Sequence, residues 1–345
     1  MKLKLYIKSI ISLFMVALLI ACDNSPQTIT LAGKTMGTTY HVKYLDNGKQ
    51  TKEQVHQALE QLLKDVNAKM STYIPNSELS LFNKNPNTEA PIAISTDLAT
   101  VIAEAIRLNQ ITDGALDVTV GPIVNLWGFG PEKRVEKKPT AAQIAERKAW
   151  VGIEKLALTQ QDQQYFLQKA VPQLYVDLSS IAKGFGVDKL ANYLGEIGVT
   201  DYLVEIGGEI RAKGKNAEGK YWQIAIEKPT LDGSRSVSQI IGLKDFAMAT
   251  SGDYRNYFEE NGQRFSHEID PQTGAPIQHN LASITVLAEQ SMTADGLSTG
   301  LYVLGAEKAL ALAEQYNLPV YLIVKTAQGF EHKMSSAFEK LLNTK

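Results

Sequence analysis

The residues able to do chemistry are concentrated between Ser251 and Thr299. There the polar segments SGDYRNYF, HEIDPQTGAP and TADGLST interrupt an otherwise core-forming alternation. His267 is the candidate general base, because an unperturbed imidazole titrates near working pH. A structural histidine bonded to Asn256 is the rival reading, and Asp253 and Asp270 are the next carboxylates to consider. Asp295, Ser298 and Thr299 fall at i, i+3 and i+4, which places them on one face of a helix. A carboxylate with hydroxyls at that spacing offers hard oxygen donors, which suit a magnesium ion that keeps some waters and shares phosphate oxygens. The plainer reading is an acidic residue favoured by the helix dipole beside two solvated hydroxyls. Upstream, VDLSSIAKGFG from Val176 to Gly186 reads as a strand feeding a helix N-terminus. Free backbone N–H groups favour anions there, and Lys183 adds a point charge for phosphate. Ordinary capping by Ser179 and Ser180 explains the same residues, and neither GxxxxGK[ST] nor a GxGxxG after a predicted strand is present.

These residues need elements to hold them. Asn261-Gly262 between alternating aromatic and polar residues is a strong hairpin signal. The register it sets places Phe258 opposite Phe265, Asn256 opposite His267, Arg255 opposite Glu268, and Asp253 level with Asp270. An apolar strand, Leu281 to Ala288, leads into a helix whose expected N-cap is Thr293. Val171 to Leu178 is expected to be a strand, and Ile181, Phe185 and Leu190 the apolar side of the helix after it. Nearer the N-terminus, Thr28 to Leu45 alternates as a strand pair, and Thr51 with Gln54 forms a capping box before Val55, Leu59, Leu62, Leu63 and Val66. A further helix from about Thr96 places Leu98, Val101, Ile102, Ala105 and Leu108 on one side. Tyr202 to Ile206, Tyr221 to Ile226 and Ser236 to Gly242 read as strands. Strands mixed with a few helices and no regular βαβ period argue for an α+β fold, as one unit over residues 29–340 with two intimately packed lobes and a cleft between them.

Taken in order, these segments resemble the ApbE family, the FAD:protein FMN transferases. KTMGTTY at Lys34, MSTY at Met70, SELSLFN at Ser77, GALDVTVGPIVNLWGFGP at Gly114, EIGGEIRAKG at Glu205 and AMATSGDYR at Ala247 carry the likeness along with those already quoted, spread from about residue 30 to residue 325. The resemblance implies an enzyme that binds FAD as substrate, holds its pyrophosphate with Mg²⁺, passes the FMN half to a serine or threonine hydroxyl of a target protein and releases AMP. Residue by residue, it implies Asp295 and Thr299 as side-chain metal ligands, with Ser180 and Ser298 adding oxygen, and Lys183 against the phosphates. Met36 and Tyr73 would line the ring system or adenine, and Ala115, Leu116, Asp117, Asp177 and Ile269 would complete the FAD site. SSIAKG, where many relatives have small glycines before the isoleucine, is the local departure from the pattern. The implied partners are flavin-acceptor subunits of membrane electron-transport complexes of the Nqr and Rnf type. Two other classes share parts of this chemistry. A flavin-carrying lipoprotein needs the pocket without the metal, and an FAD pyrophosphatase uses water in place of the protein hydroxyl.

The N-terminus has Lys2, Lys4 and Lys8, then an apolar run from Ile10 to Ala21 too short for an ordinary membrane span. It ends Leu19-Ile20-Ala21-Cys22, which reads as a lipoprotein signal over residues 1–21 with Cys22 lipidated and residues 22–28 as a tether. Asp23 resembles an inner-membrane retention signal, so the expected location is the periplasmic face of the inner membrane. Cys22 is the sole cysteine, so no intramolecular disulfide can form and stability rests on the core. With 44% hydrophobic residues, the chain has enough apolar mass for one sizeable core or two coupled ones. A net charge of −2 and a pI near 6.3 leave no electrostatic footprint for nucleic acid. The densest basic cluster, Lys133 to Lys138, reads as an exposed loop between Pro131 and Pro139.

Overall fold

The site is built on an eight-stranded sheet whose strands lie side by side in chain order, each antiparallel to the next. A computed structural model describes residues 27–131, 138–228, 236–252, 257–260 and 263–343. The sheet's strands are β1 (Thr28–Thr35), β2 (Thr38–Leu45), β3 (Tyr202–Ile206), β4 (Glu209–Lys213), β5 (Ala247–Gly252), β6 (Leu281–Ala288), β7 (Val320–Thr326) and β8 (Gly329–Met334). Nine described helices accompany them: α1 (Lys52–Met70), α2 (Glu78–Lys84), α3 (Thr96–Ile111), α4 (Gly121–Leu126), α5 (Ala141–Lys148), α6 (Ala182–Glu196), α7 (Ser291–Leu304), α8 (Ala306–Gln315) and α9 (Ser336–Asn343). Smaller ladders join Ile92–Ile94, Leu156–Gln161 and Gln164–Lys169, and pair Trp222–Lys228 with Ser236–Leu243. The fold is α+β, as the pattern of elements implied. None of the described helices is long and apolar enough to cross a membrane.

Local chemistry accounts for the elements nearest the site. The β1–β2 turn is Met36-Gly37, both at positive φ (49° and 74°), and Thr35 faces Thr38. Such a turn matches the strand twist only with positive φ at both central residues, which glycine adopts freely and methionine does not. In α1 the capping box is complete: the Thr51 side chain accepts from Gln54 N, and the Gln54 side chain accepts from Thr51 N. Val55, Leu59, Leu63 and Val66 are buried, while Leu62 packs at the margin of the apolar cluster that holds the first three. The predicted face of α3 is buried throughout. One cluster joins α1 and α6 to β1, β2 and β3; a larger one joins α3 and α7 to β6 and β7; a third lies under Trp222, Ile241 and Phe338. Helix α7, apolar on most sides, is buried between α6, α3, β5 and β6.

Three local expectations are corrected. Val171 to Leu178 is not a strand; Tyr175 makes an isolated parallel bridge to Val120, and the nearby strand is Gln164–Lys169. Ser179 and Ser180 do not cap α6, which starts at Ala182 after Ile181 with no side-chain cap; Ser179 N instead donates to Asp177 Oδ1 at 2.9 Å in a local turn. Thr293 is not the N-cap of α7 but lies inside the helix, donating to Glu104 Oε1 at 2.6 Å. At the start of α7 the backbone donors find their partner on another element, Asp188 of α6, which no local pattern announces. The ladder Tyr257–Glu260 with Gln263–Ser266 pairs Phe258 with Phe265. Asp253, Arg255, Asn256, Asn261, Gly262, Cys22 and Lys133 to Lys137 lie outside the described residues.

Candidate active site

A cleft of about 1060 Å³ opens where the β3–β4 turn, the loop before α6, the first turns of α7 and the segment 267–271 meet. Gly207 and Gly208 make the β3–β4 turn with φ of 60° and 108°. A Cβ on Gly207 would meet Thr38 Cγ2 at 2.8 Å, so the start of β2 lies hard against this turn. The turn delivers Glu209, which is 5% exposed, to the cleft floor. Lys183, in the first turn of α6, reaches Glu209 Oε1 at 2.8 Å and Asp295 Oδ1 at 3.6 Å. Asp295, in the second turn of α7, is 2% exposed, and its Oδ2 accepts from Gly184 N at 2.9 Å. Ser298 Oγ donates to Asp295 O at 2.9 Å and meets Ser251 Oγ at 2.9 Å, and Ser251 Oγ lies 3.5 Å from Thr299 Oγ1.

The electrostatics follow from this crowding. Burial raises the Asp295 carboxyl to about 7, the Lys183 ammonium opposing and Glu209 reinforcing the shift. Burial works against charge on Lys183 too, but Asp295 and Glu209 together hold it above the ordinary lysine range. Asp117 is raised by burial, although Thr119 Oγ1, Thr119 N and Ile153 N all donate to its carboxylate. Among the described residues the cleft lining has seven carboxylates, Asp117, Asp177, Glu205, Glu209, Glu227, Glu268 and Asp295, against the single lysine Lys183. A diphosphate entering such a lining needs added positive charge. The donors suit a hard cation. A buried carboxylate stands beside hydroxyl oxygens, a lysine ammonium already rests between two carboxylates, and buried Glu209 Oε2 has no hydrogen-bond partner. Asp295, Ser251, Ser298 and Thr299 make the set one of carboxylate and hydroxyl oxygens rather than the nitrogen and sulfur of a zinc site, and no group of three His, Cys, Asp or Glu suited to a metal occurs among the described residues.

Most of the expected site residues converge here. Ala115, Leu116, Asp117, Asp177, Ser180, Lys183, His267, Ile269, Asp295 and Thr299 all line the cleft. His267 Nε2 lies 3.3 Å from Glu268 Oε1. Ser298 sits behind the lining, bonded to Asp295 O and Ser251. Met36 also sits behind it, its methyl group against Gly186 of α6. Tyr73 stands 67% exposed, within electrostatic reach of Asp177. Asp270 is turned away from the cleft: its carboxylate accepts from Gln272 N at 2.8 Å in the 270–274 turn. Two features of this region are not announced by residue type, Glu209 and the pair Asp188–Arg211. For Glu209 a signal existed, since Gly207-Gly208 before an acidic residue marks a tight turn aiming a carboxylate. For Asp188 none did, because it sits at an ordinary helix-interior position and its partners come from β4 and α7.

The model of the ApbE family matches residues 36–322. A protein of Haemophilus influenzae named FAD:protein FMN transferase is 64% identical over 345 residues, covering 99% of this chain and 100% of its own. The solved flavin transferase ApbE from Vibrio cholerae is 50% identical with a TM-score of 0.85, covering 91% of this chain and 99% of its own. The apo form of the flavinyl transferase ApbE from Pseudomonas stutzeri is 40% identical with a TM-score of 0.84, covering 93% of this chain and 98% of its own.

Proposed function

The chain belongs to the ApbE family, and we propose that it transfers the FMN part of FAD to a serine or threonine hydroxyl of a protein acceptor, with Mg²⁺ and with release of AMP. The observation that carries this reading is the meeting of Lys183, Glu209, Asp295 and Thr299 at the floor of an otherwise acidic cleft large enough for a dinucleotide. Phosphoryl transfer asks an enzyme for charge neutralisation and in-line placement more than for covalent chemistry. Bound Mg²⁺ would neutralise charge on the pyrophosphate. Asp295 and Thr299 would hold it through side-chain oxygens, with Ser180 and Ser298 contributing oxygen nearby. Lys183, whose Nζ rests on Glu209 Oε1 at 2.8 Å, would place its ammonium on the phosphates. His267 would accept the proton of the acceptor hydroxyl as that oxygen forms its bond to the FMN phosphorus. The bond from that phosphorus to the bridging oxygen breaks, and AMP departs. Asp117 and Asp177, each fixed by its own backbone donors, shape the wall against which the flavin nucleotide lies. The acceptors are membrane redox subunits of the Nqr and Rnf kind, and a Cys22 lipid anchor would keep the enzyme on the periplasmic face of the inner membrane where they are met.

The test is to incubate the full chain, purified in detergent, with FAD, Mg²⁺ and a candidate acceptor subunit, and to weigh the intact acceptor. A gain of one FMN through a phosphodiester, lost when the acceptor threonine becomes alanine or when the metal is chelated, establishes the transfer. Free FMN and AMP without an adduct mark a pyrophosphatase, and intact bound FAD without AMP marks a carrier. Asp295→Ala should abolish turnover while FAD still binds.

A further inference from the structure

Helices α6 and α7 cap each other through two carboxylates. Asp188 of α6 accepts from Ser291 N at 3.0 Å through Oδ1 and from Met292 N at 2.9 Å through Oδ2, which are the first two donors of α7. Gln290, at the N-cap position of α7, offers no side-chain bond, so Asp188 supplies the cap from outside the helix. In return, Asp295 of α7 accepts from Gly184 N of α6 at 2.9 Å through Oδ2. Arg211 of β4 completes the strap, donating from Nη1 to Asp188 Oδ1 at 2.8 Å and to Asn192 Oδ1 at 3.1 Å. The helices touch closely at this point: a Cβ on Gly184 would meet Ser291 O at 2.4 Å and Met292 Cα at 2.7 Å. With Oδ2 of Asp295 committed to Gly184, Oδ1 is left directed toward Lys183, 3.6 Å away, on the cleft side.

We propose that Asp188 is a positioning residue for the cation-binding carboxylate. By holding the first turn of α7 against α6, it keeps Asp295 bonded to Gly184 and so fixes which carboxylate oxygen faces the cation. The inference rests on the reading of Asp295 as a cation ligand given under Proposed function. Its logic is that of partners behind a metal ligand, which set ligand orientation rather than touch the ion. Asp188 is 6% exposed and does not line the cleft, so it acts through the helix and not by contact with ligand.

Mn²⁺ serves as the probe, its binding to the full chain without FAD counted by electron paramagnetic resonance, alongside the thermal midpoint of each variant. Asp188→Asn keeps the shape of the side chain but not the paired acceptor. It should weaken Mn²⁺ on the order of 10-fold, the low end for partners behind a metal ligand. Gly184→Ala, which pushes the same helices apart by a different route, should weaken it as well. Phe338→Ala removes core packing in the cluster under Trp222 and Ile241, which holds no residue of α6 or α7, and serves as the stability control; its Mn²⁺ affinity should match the wild type although its thermal midpoint falls. Unchanged Mn²⁺ affinity in Asp188→Asn, beside a wild type that binds, overturns the positioning role alone. Equal weakening in Phe338→Ala also overturns it, by showing that general loss of stability suffices. A wild type that binds no Mn²⁺ overturns the cation-site reading and this inference with it.

Discussion

At the residue scale the site depends on a few side chains whose ionisation is set by burial. Folding raises the Asp295 carboxyl from 3.8 to about 7, burial being the main cause. A carboxyl raised on folding contributes stability that is fully present below its unfolded value and is lost as pH rises through the folded one. Without divalent cation, the thermal midpoint of Asp295→Asn should therefore rise relative to wild type as pH climbs from 3.8 to about 7. Saturating Mg²⁺ should reverse that difference, because the cation selects the ionised carboxylate. Differential scanning fluorimetry across pH, with and without Mg²⁺, checks both signs. His267→Ala should slow transfer by about 100- to 10,000-fold, the usual range for a lost general base, while FAD binding persists. Near-normal transfer would remove the base assignment from His267 and pass it to Asp253. The types of most of these residues could be read from the chain. The commitment of each oxygen could not, since Gly184 N, Asp188 and Glu209 reach Asp295 and its helix from elsewhere in the sequence.

At the element scale, what was legible is what depends on neighbours within about one helical turn or one hairpin. The capping box at Thr51, the buried face of α3 and the opposition of Phe258 and Phe265 all follow from spacing alone. Thr51→Ala should cost about 1 kcal/mol, the usual loss for a removed N-cap. Urea denaturation reads that loss, and transfer activity at low denaturant should be unchanged because α1 contributes no residue to the cleft lining. At the start of α7 a long-range partner overrides the local signal. Thr293 is a good cap by type, yet the first donors of this helix are taken by Asp188, 103 and 104 positions away in sequence. Once that cap exists, a hydroxyl inside the first turn is released to bond Glu104 instead.

At the scale of the whole molecule, the sheet runs in simple chain order, and the long excursions between β2 and β3 and between β5 and β6 bring in most of the site. The excursion between β2 and β3 supplies Ala115 to Asp117 and Asp177 to Lys183; that between β5 and β6 supplies His267 to Ile269. Neither excursion makes a site alone. The cleft forms because the antiparallel order lays β3 and β4 beside β5, so that Glu209 meets Lys183 over the start of α7. The anchor proposed at Cys22 belongs to this scale too. Cys22→Ala should move the protein from membranes to the soluble fraction, as fractionation and immunoblotting would read. Continued membrane association would sink the lipid anchor.

The sequence by itself determined the α+β class, the family and the types of residue from which the site is made. Those properties reside in residue identity, local periodicity and the order of motifs. The tertiary structure alone decided that Glu209 belongs with Lys183 and Asp295, that Asp270 turns away from the cleft, and that Asp188 caps a helix it does not belong to. The physical reason is that burial and long-range hydrogen bonds allot each donor and acceptor to a partner only after distant segments have packed.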